Sequence, residues 1–210
     1  MKISDQEKQE VFYQITDHLL KDEKPSDYIN ALSKDAEYAG YPFSMLWKLK
    51  ETEQSKKYHP EGSVWNHTML VLNEAARVRE KSKDEKALMW AALLHDIGKP
   101  KTTKMRNGKT TSYDHDKAGE ELCAEFLRFF IDDRTFIMKV SALVRYHMHM
   151  LYVLKGLPYG DVTNMLRKVD INEIALLCRC DRMGRLGVDM VVEEAEYKEF
   201  IIRLERMKVI

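Results

Sequence analysis

Apolar positions recur at intervals of three and four along almost the whole chain, the period of helices with one buried face. Ser4 or Asp5 can cap a first helix running to about Lys21, with Val11, Phe12, Ile15, His18 and Leu19 on one side. Lys24-Pro25-Ser26 breaks it, and a second helix is expected from Ser26 to Tyr38. After Gly40-Tyr41-Pro42 a short third helix carries Met45, Leu46 and Leu49. These three make an N-terminal helical lobe over residues 1–50. The remainder, 51–210, reads as the main domain with a closing C-terminal helix.

Glu51 to Ser63 is polar and reads as a loop holding His59-Pro60-Glu61-Gly62. From Ser63 a helix presents Val64, His67, Thr68, Val71, Leu72 and Ala75 on one face. Ser82 or Asp84 can cap the next, with Leu88, Ala91, Ala92 and His95 inward. Gly98 and Pro100 are expected to stop it. His115 lines up with a helix that Asp116 can cap. Asp132 or Asp133 starts another, with Val140, Leu143, Val144 and His147 inward. Met150 to Leu157 reads as a turn or short helix, followed by helices from Val162 to Lys168 and from Asp170 onward. The latter carries Ile174, Leu177, Cys178, Asp181 and Arg185 on one stripe, and an amphipathic helix from Val191 to Met207 closes the chain.

Pro100 to Tyr113 departs from this period. Short polar runs flank Asn107-Gly108, which predicts a β-hairpin with a tight turn there. Gly108-Lys109-Thr110 has the form of a P-loop tail, but that motif needs glycine at position 103, where Thr103 stands. The P-loop is excluded. The expected fold class is all-α, a helical bundle with a small β-hairpin insertion.

Composition narrows the function classes. Lys plus Arg equals Asp plus Glu at 34 each, so the formal charge is zero and strong non-specific nucleic-acid binding is not expected. Cys123, Cys178 and Cys180 are odd in number and contain no C-x-x-C pair, so neither a disulfide framework nor a zinc ribbon is suggested. The first residues show no apolar signal segment and no run approaches membrane-spanning length, so the cytoplasm is the expected location.

Four separate helices each place one metal-capable side chain on an otherwise apolar face: His67, His95, His147 and Asp181. Asp96 adjoins the second and His115 stands at a helix entrance. Taken singly, an inward histidine is an ordinary core residue with one hydrogen bond. Several such groups facing one core each cost about 1–3 kcal/mol if left unpaired, and one shared cation relieves them all. Mixed imidazole and carboxylate donors suit Mn, Fe, Co, Ni or Zn, with Mg where carboxylates dominate.

The order of these residues resembles the HD phosphohydrolase superfamily: an isolated His67, then His95-Asp96-Ile-Gly-Lys99, then Asp181. The finer resemblance is to the HD domain of bacterial tRNA nucleotidyltransferases and its stand-alone relatives. It is carried by His59-Pro60-Glu61-Gly62, Trp65-Asn-His67-Thr68, His95-Asp96-Ile-Gly-Lys99-Pro100, His115-Asp-Lys-Ala-Gly119 and Asp181-Arg-Met-Gly184-Arg185. The superfamily implies an all-α HD-domain bundle in which His67, His95, Asp96 and Asp181 hold a first divalent ion. His115 and His147 match the ligands of a second ion in binuclear members, with Asp96 as the bridge. Here Tyr146-His147-Met148-His149 separates two histidines that are often adjacent there, which leaves one ion or two as alternatives. His147 is expected inward and His149 outside the site.

What the resemblance implies is a metal-dependent phosphodiesterase or phosphatase acting on nucleotides or 2′,3′-cyclic phosphates, including RNA ends. The reaction would be attack of a metal-bound hydroxide on phosphorus. Asp96 and Lys99 are the expected catalytic residues, and Lys99, Arg185 and Glu61 the expected substrate contacts. Trp65 is expected to pack rather than to stack on a base. The competing class is a regulatory HD domain that senses a nucleotide without hydrolysing it.

Overall fold

The computed structural model describes residues 3–208. Helix α1 (Asp5–Lys21) opens with a capping box: the Ser4 hydroxyl accepts from the Glu7 backbone N–H, and the Glu7 carboxylate accepts from that of Ser4. Val11, Phe12, Ile15 and Leu19 face inward as the period predicts. Helix α2 (Pro25–Leu32) stops short of the expected Tyr38. Asp35 instead accepts from Glu37 N–H and starts a separate 3-10 turn, Ala36–Tyr38. The short α3 (Ser44–Trp47) runs into another such turn, Lys48–Glu51.

The centre of the molecule is α5 (Glu85–Leu94). Every residue from Ala87 to Leu94 is buried, so this helix has no face to give to water and must be surrounded. It is packed by α1, α4 (Val64–Val78), α8 (Arg134–Tyr146) and α11 (Ile171–Met183). Phe12 of α1 stacks on Trp90 of α5, with ring centroids 4.6 Å apart, and the Trp90 indole N–H donates to Thr16. Around this core lie α6 (Lys99–Thr102), α7 (His115–Arg128), α9 (His149–Leu154), α10 (Val162–Lys168) and α12 (Met190–Lys208). Arg179 pairs with Glu194, and Arg182 with Glu193 and Glu196, which fastens α12 to α11. Among the described residues no helix is long and apolar enough to cross a membrane.

The predicted hairpin is present. Strand β1 (Lys104–Arg106) pairs antiparallel with β2 (Lys109–Thr111), Lys104 opposite Thr111 and Arg106 opposite Lys109. Asn107 and Gly108 both have positive φ, 49° and 72°, as a two-residue turn of the primed type requires. The fold is thus all-α with one small hairpin.

Two local expectations are corrected. Gly98 and Pro100 do not stop α5, which ends earlier, at Leu94. Gly98 has φ −79°, open to any residue; what it supplies is room. A Cβ there would lie 2.0 Å from the His115 carbonyl oxygen and 2.6 Å from the Gly119 nitrogen, so the corner after α5 meets α7 backbone to backbone. Pro100 sits in the first turn of α6, where its missing N–H costs nothing. Nor does Asp116 cap α7: His115 is already helical, Asp114 precedes it, and Asp116 pairs with Arg145 of α8.

Gly184 plays the same part at the end of α11, where a Cβ would meet Val71 Cγ2 at 2.6 Å and Val71 N at 2.8 Å. That close approach of α11 to α4 brings Asp181 to His67. Gly98→Ala should therefore lower stability by about 3 kcal/mol or more, because backbone atoms cannot yield as side chains do. Gly40→Ala, with nothing within 4 Å of its Cβ position, should leave the midpoint unchanged or slightly raised. Urea midpoints of the two variants check this contrast.

Candidate metal centre

The six side chains predicted as ligands come together at one end of α5. His67 lies in the second turn of α4 and Asp181 near the end of α11, with His67 Nε2 2.9 Å from Asp181 Oδ1. His95 caps the C-terminus of α5, and its Nε2 stands 3.2 Å from Asp96 Oδ2. On the other side of Asp96, Oδ1 faces His115 Nε2 at 3.5 Å and His147 Nε2 at 3.8 Å. His67, His95 and Asp96 form one group with donor atoms mutually within 4.8 Å; Asp96, His115 and His147 form another. Asp96 belongs to both.

Local backbone geometry sets the imidazoles. Nδ1 of His95 lies 2.8 Å from the Ala92 carbonyl oxygen, that of His147 2.6 Å from Val144 and that of His115 2.7 Å from Ser112. A carbonyl only accepts, so each Nδ1 carries the hydrogen and donates it. In the neutral ring each Nε2 then turns a bare lone pair toward Asp96, the arrangement a metal ligand needs. His95 and His147 each follow directly on a helix end, α5 and α8, so two sets of terminal carbonyls also favour positive charge here.

The cluster is deeply buried: His67, His95, Asp96 and His147 are each no more than 2% exposed. His95 Nε2 and both carboxylate oxygens of Asp96 have no hydrogen-bond partner. Lys99 Nζ is 2.7 Å from Asp96 Oδ2, an ion-pair distance, but its aligned hydrogen bond goes to Gln54 Oε1 at 3.0 Å. His115 Nε2 and His147 Nε2 are 3.2 Å apart, two lone pairs face to face unless a cation or a proton lies between them. These orphaned donors fit a divalent ion at His67, His95, Asp96 and Asp181, and they leave room for the alternative of a second at Asp96, His115 and His147.

Charge follows the same pattern. Burial opposes ionisation of Asp96 and Asp181, but Lys99 beside the first and Arg185 beside the second hold both carboxyls well below the usual range. Burial pushes His147 down to about 3 and also lowers His115, keeping both rings neutral and ready to donate a lone pair. His95 is the exception: burial is outweighed by the Asp96 carboxylate, and its affinity for a proton is raised. Burial pushes the Cys123 and Cys180 thiols up to about 12, so neither supplies a thiolate.

The remaining predicted residues lie around this floor. Arg185 Nη2 sits 3.2 Å from Asp181 Oδ2 at the cleft wall. Glu61 is buried, with Oε1 2.9 Å from His59 Nδ1 and 3.0 Å from His67 Nδ1, so its carboxylate backs a ligand rather than facing the opening. His149 is turned away, its Nε2 accepting from Asp161 N–H. Trp65 packs, and its indole N–H donates to Asn30. Sequence reasoning did not single out Gln54 and quoted His59 only within the His59-Pro60-Glu61-Gly62 motif, with no role of its own; both line the cleft. A glutamine in a polar loop carries no signal; His59, two residues from Glu61 and beside a proline, carried a weak one.

Above the centre opens a cleft of about 1060 Å³, floored by Asp96, His115, His147 and Asp181 and walled by the hairpin and the α9–α10 turn. The HD domain family profile matches residues 64–186, which include all six candidate ligands. The multifunctional CCA protein of Pasteurella multocida is 30% identical over 175 residues, covering 77% of this chain and 39% of that protein. That of Mannheimia succiniciproducens is 29% identical over 188 residues, covering 84% and 43%. The chain thus spans about two fifths of the length of these curated relatives. With the profile spanning more than half of the sequence and its residues gathered at one buried centre, the chain belongs to the HD domain family.

Proposed function

We propose that the protein is a metal-dependent phosphohydrolase acting on nucleotides or 2′,3′-cyclic phosphates. The observation that carries this reading is Asp96: a carboxylate 1% exposed, with neither oxygen hydrogen-bonded, at the floor of an open cleft. Lys99 offsets the charge beside Oδ2, while Oδ1 faces only His115 and His147, a donor set that a divalent ion would satisfy. His67, His95, Asp96 and Asp181 would hold the ion, and His115 and His147 a second where one binds. When bound, such an ion acidifies a coordinated water and neutralises charge on phosphate oxygens.

The chain's own residues supply the rest. Lys99 and Arg185 bring two fixed cations to the cleft side of the carboxylates, within reach of the phosphate that an ion there would attract. Gln54 accepts a hydrogen bond from Lys99 and holds it in place. The Nδ1 hydrogen bonds to backbone carbonyls keep three imidazoles in the tautomer that presents Nε2. Glu61 steadies His67 from behind. The CCA name of the relatives points to nucleic-acid ends as the setting of the phosphate, and the cleft is large enough for a nucleotide.

Four outcomes test this. The purified protein with Mn or Ni should hydrolyse bis-p-nitrophenyl phosphate and 2′,3′-cyclic AMP; nucleotide-dependent thermal stabilisation without product would instead support a sensing domain. Asp96→Asn should abolish turnover, and Lys99→Met should lower kcat by about 10²–10³-fold through loss of one phosphate-facing cation. Metal at one hundred times its Kd should stabilise the wild type by about 2.7 kcal/mol and leave Asp96→Asn unmoved, read as a shift in Tm. The sign of the pH dependence follows from His95. Its proton affinity is raised above that of an ordinary imidazole, so a proton competes for Nε2 and metal affinity should fall as pH is lowered through that raised range. Titration calorimetry across that range would show proton release on binding, and a flat profile would contradict it.

A further inference from the structure

The hairpin has no task in holding the centre, yet it concentrates charge. Between Ile97 and Tyr113 stand Lys99, Lys101, Lys104, Arg106 and Lys109, with no acidic residue among them, in a chain whose formal charge is zero. Residues opposite one another in an antiparallel pair share a face. The register therefore puts Lys104, Arg106, Lys109 and Thr111 on one face. Arg106 and Thr111 of that face line the cleft, as does Thr110 of the other, so the hairpin borders the cleft and Arg106 is its cation in the lining. The two carboxylates at this rim are engaged elsewhere, Asp114 with Lys117 at 2.7 Å and Asp116 with Arg145.

Aromatic rings accompany the cations. Tyr113, directly after the hairpin, is 63% exposed, and the Arg106 guanidinium lies over its ring at 5.1 Å. Tyr159, in the turn between α9 and α10, is 68% exposed and meets Tyr152 edge to face at 5.8 Å. All three tyrosines line the same cleft as Asp96. Exposed tyrosines cost solubility and add nothing to the core. Cations interleaved with such rings are the surface on which unpaired bases stack while their phosphates are neutralised.

We infer that the hairpin and these tyrosines form a groove for a single-stranded RNA end, delivering its terminal phosphate to the centre below. This rests on the phosphohydrolase reading and sharpens it: the preferred substrate is a strand terminus rather than a free mononucleotide. RNA is specified because only a ribose with a 2′-hydroxyl can carry a 2′,3′-cyclic phosphate. The groove reconciles a neutral chain with a nucleic-acid substrate, since attraction is confined to one lip.

The test is fluorescence anisotropy of the metal-loaded protein with a fluorescein-labelled 2′-O-methyl octanucleotide, which offers no cyclic phosphate to hydrolyse. The single strand should bind, with affinity falling as salt rises from 50 to 200 mM. Lys104→Glu/Arg106→Glu/Lys109→Glu should weaken it at least tenfold and reduce the salt slope by about 2. Tyr113→Ala/Tyr159→Ala should weaken it about tenfold or more with the slope unchanged. The same sequence as a blunt duplex should bind at least tenfold more weakly than the single strand. Absence of binding by the wild type, equal binding by the charge-reversed variant, or a duplex bound as well as the strand would each overturn the proposal. Thermal melts accompany each variant, and if charge reversal unfolds the protein the Lys104→Gln/Arg106→Gln/Lys109→Gln variant takes its place. Because the assay needs no turnover, a wild type that binds the strand but cleaves no phosphodiester sinks the hydrolase reading alone. One that cleaves bis-p-nitrophenyl phosphate but binds no strand sinks only the groove.

Discussion

The structure turns on one buried carboxylate. Asp96 stands at the end of a helix with no polar face, where water cannot reach either oxygen. Removing a carboxylate from water costs several kcal/mol even after relaxation, and that cost has to be met locally. Lys99 at ion-pair distance meets part of it; the three imidazole lone pairs aimed at the two oxygens and the negative ends of two helices add to the demand for positive charge. Helices that end in histidine at this spot place carbonyls, ring nitrogens and carboxylate oxygens around one volume. Nearly all of those groups favour a cation.

The same local device appears twice. His95 and His147 each follow the last helical residue, keep helical dihedrals, and donate from Nδ1 to the carbonyl three residues back. A side chain in that position satisfies one of the carbonyls orphaned at a helix end. It also leaves Nε2 of each ring facing Asp96. One interaction thus terminates the helix and orients the ligand, which links helix-end chemistry directly to the site.

Electrostatically the protein separates its charges by depth. Carboxylates line the floor of the cleft, Lys99 and Arg185 stand beside them, and the hairpin carries cations while the rim acids Asp114 and Asp116 are paired with Lys117 and Arg145. A neutral total hides this gradient. An anion entering from solvent would meet cations first and the buried acids last, and the acids become accessible to it only through whatever cation they hold.

The inward placement of His67, His95, His147 and Asp181 was legible in the sequence, because period 3.6 reports which face of a helix is buried and each lies on that face or one residue past it. The hairpin was legible for a similar local reason: Asn-Gly accepts the positive φ that a two-residue turn demands. What periodicity cannot encode is which buried faces meet, and at what distance. That was decided by contacts between residues far apart in the chain: Gly98 against the backbone of α7, Gly184 against Val71, Gln54 reaching Lys99, and Glu61 lying behind His67. Sequence position thus determined the donors and their faces. Only packing in three dimensions made Asp96 common to both groups and set the cleft above it, because those depend on helix separations that local preferences do not specify.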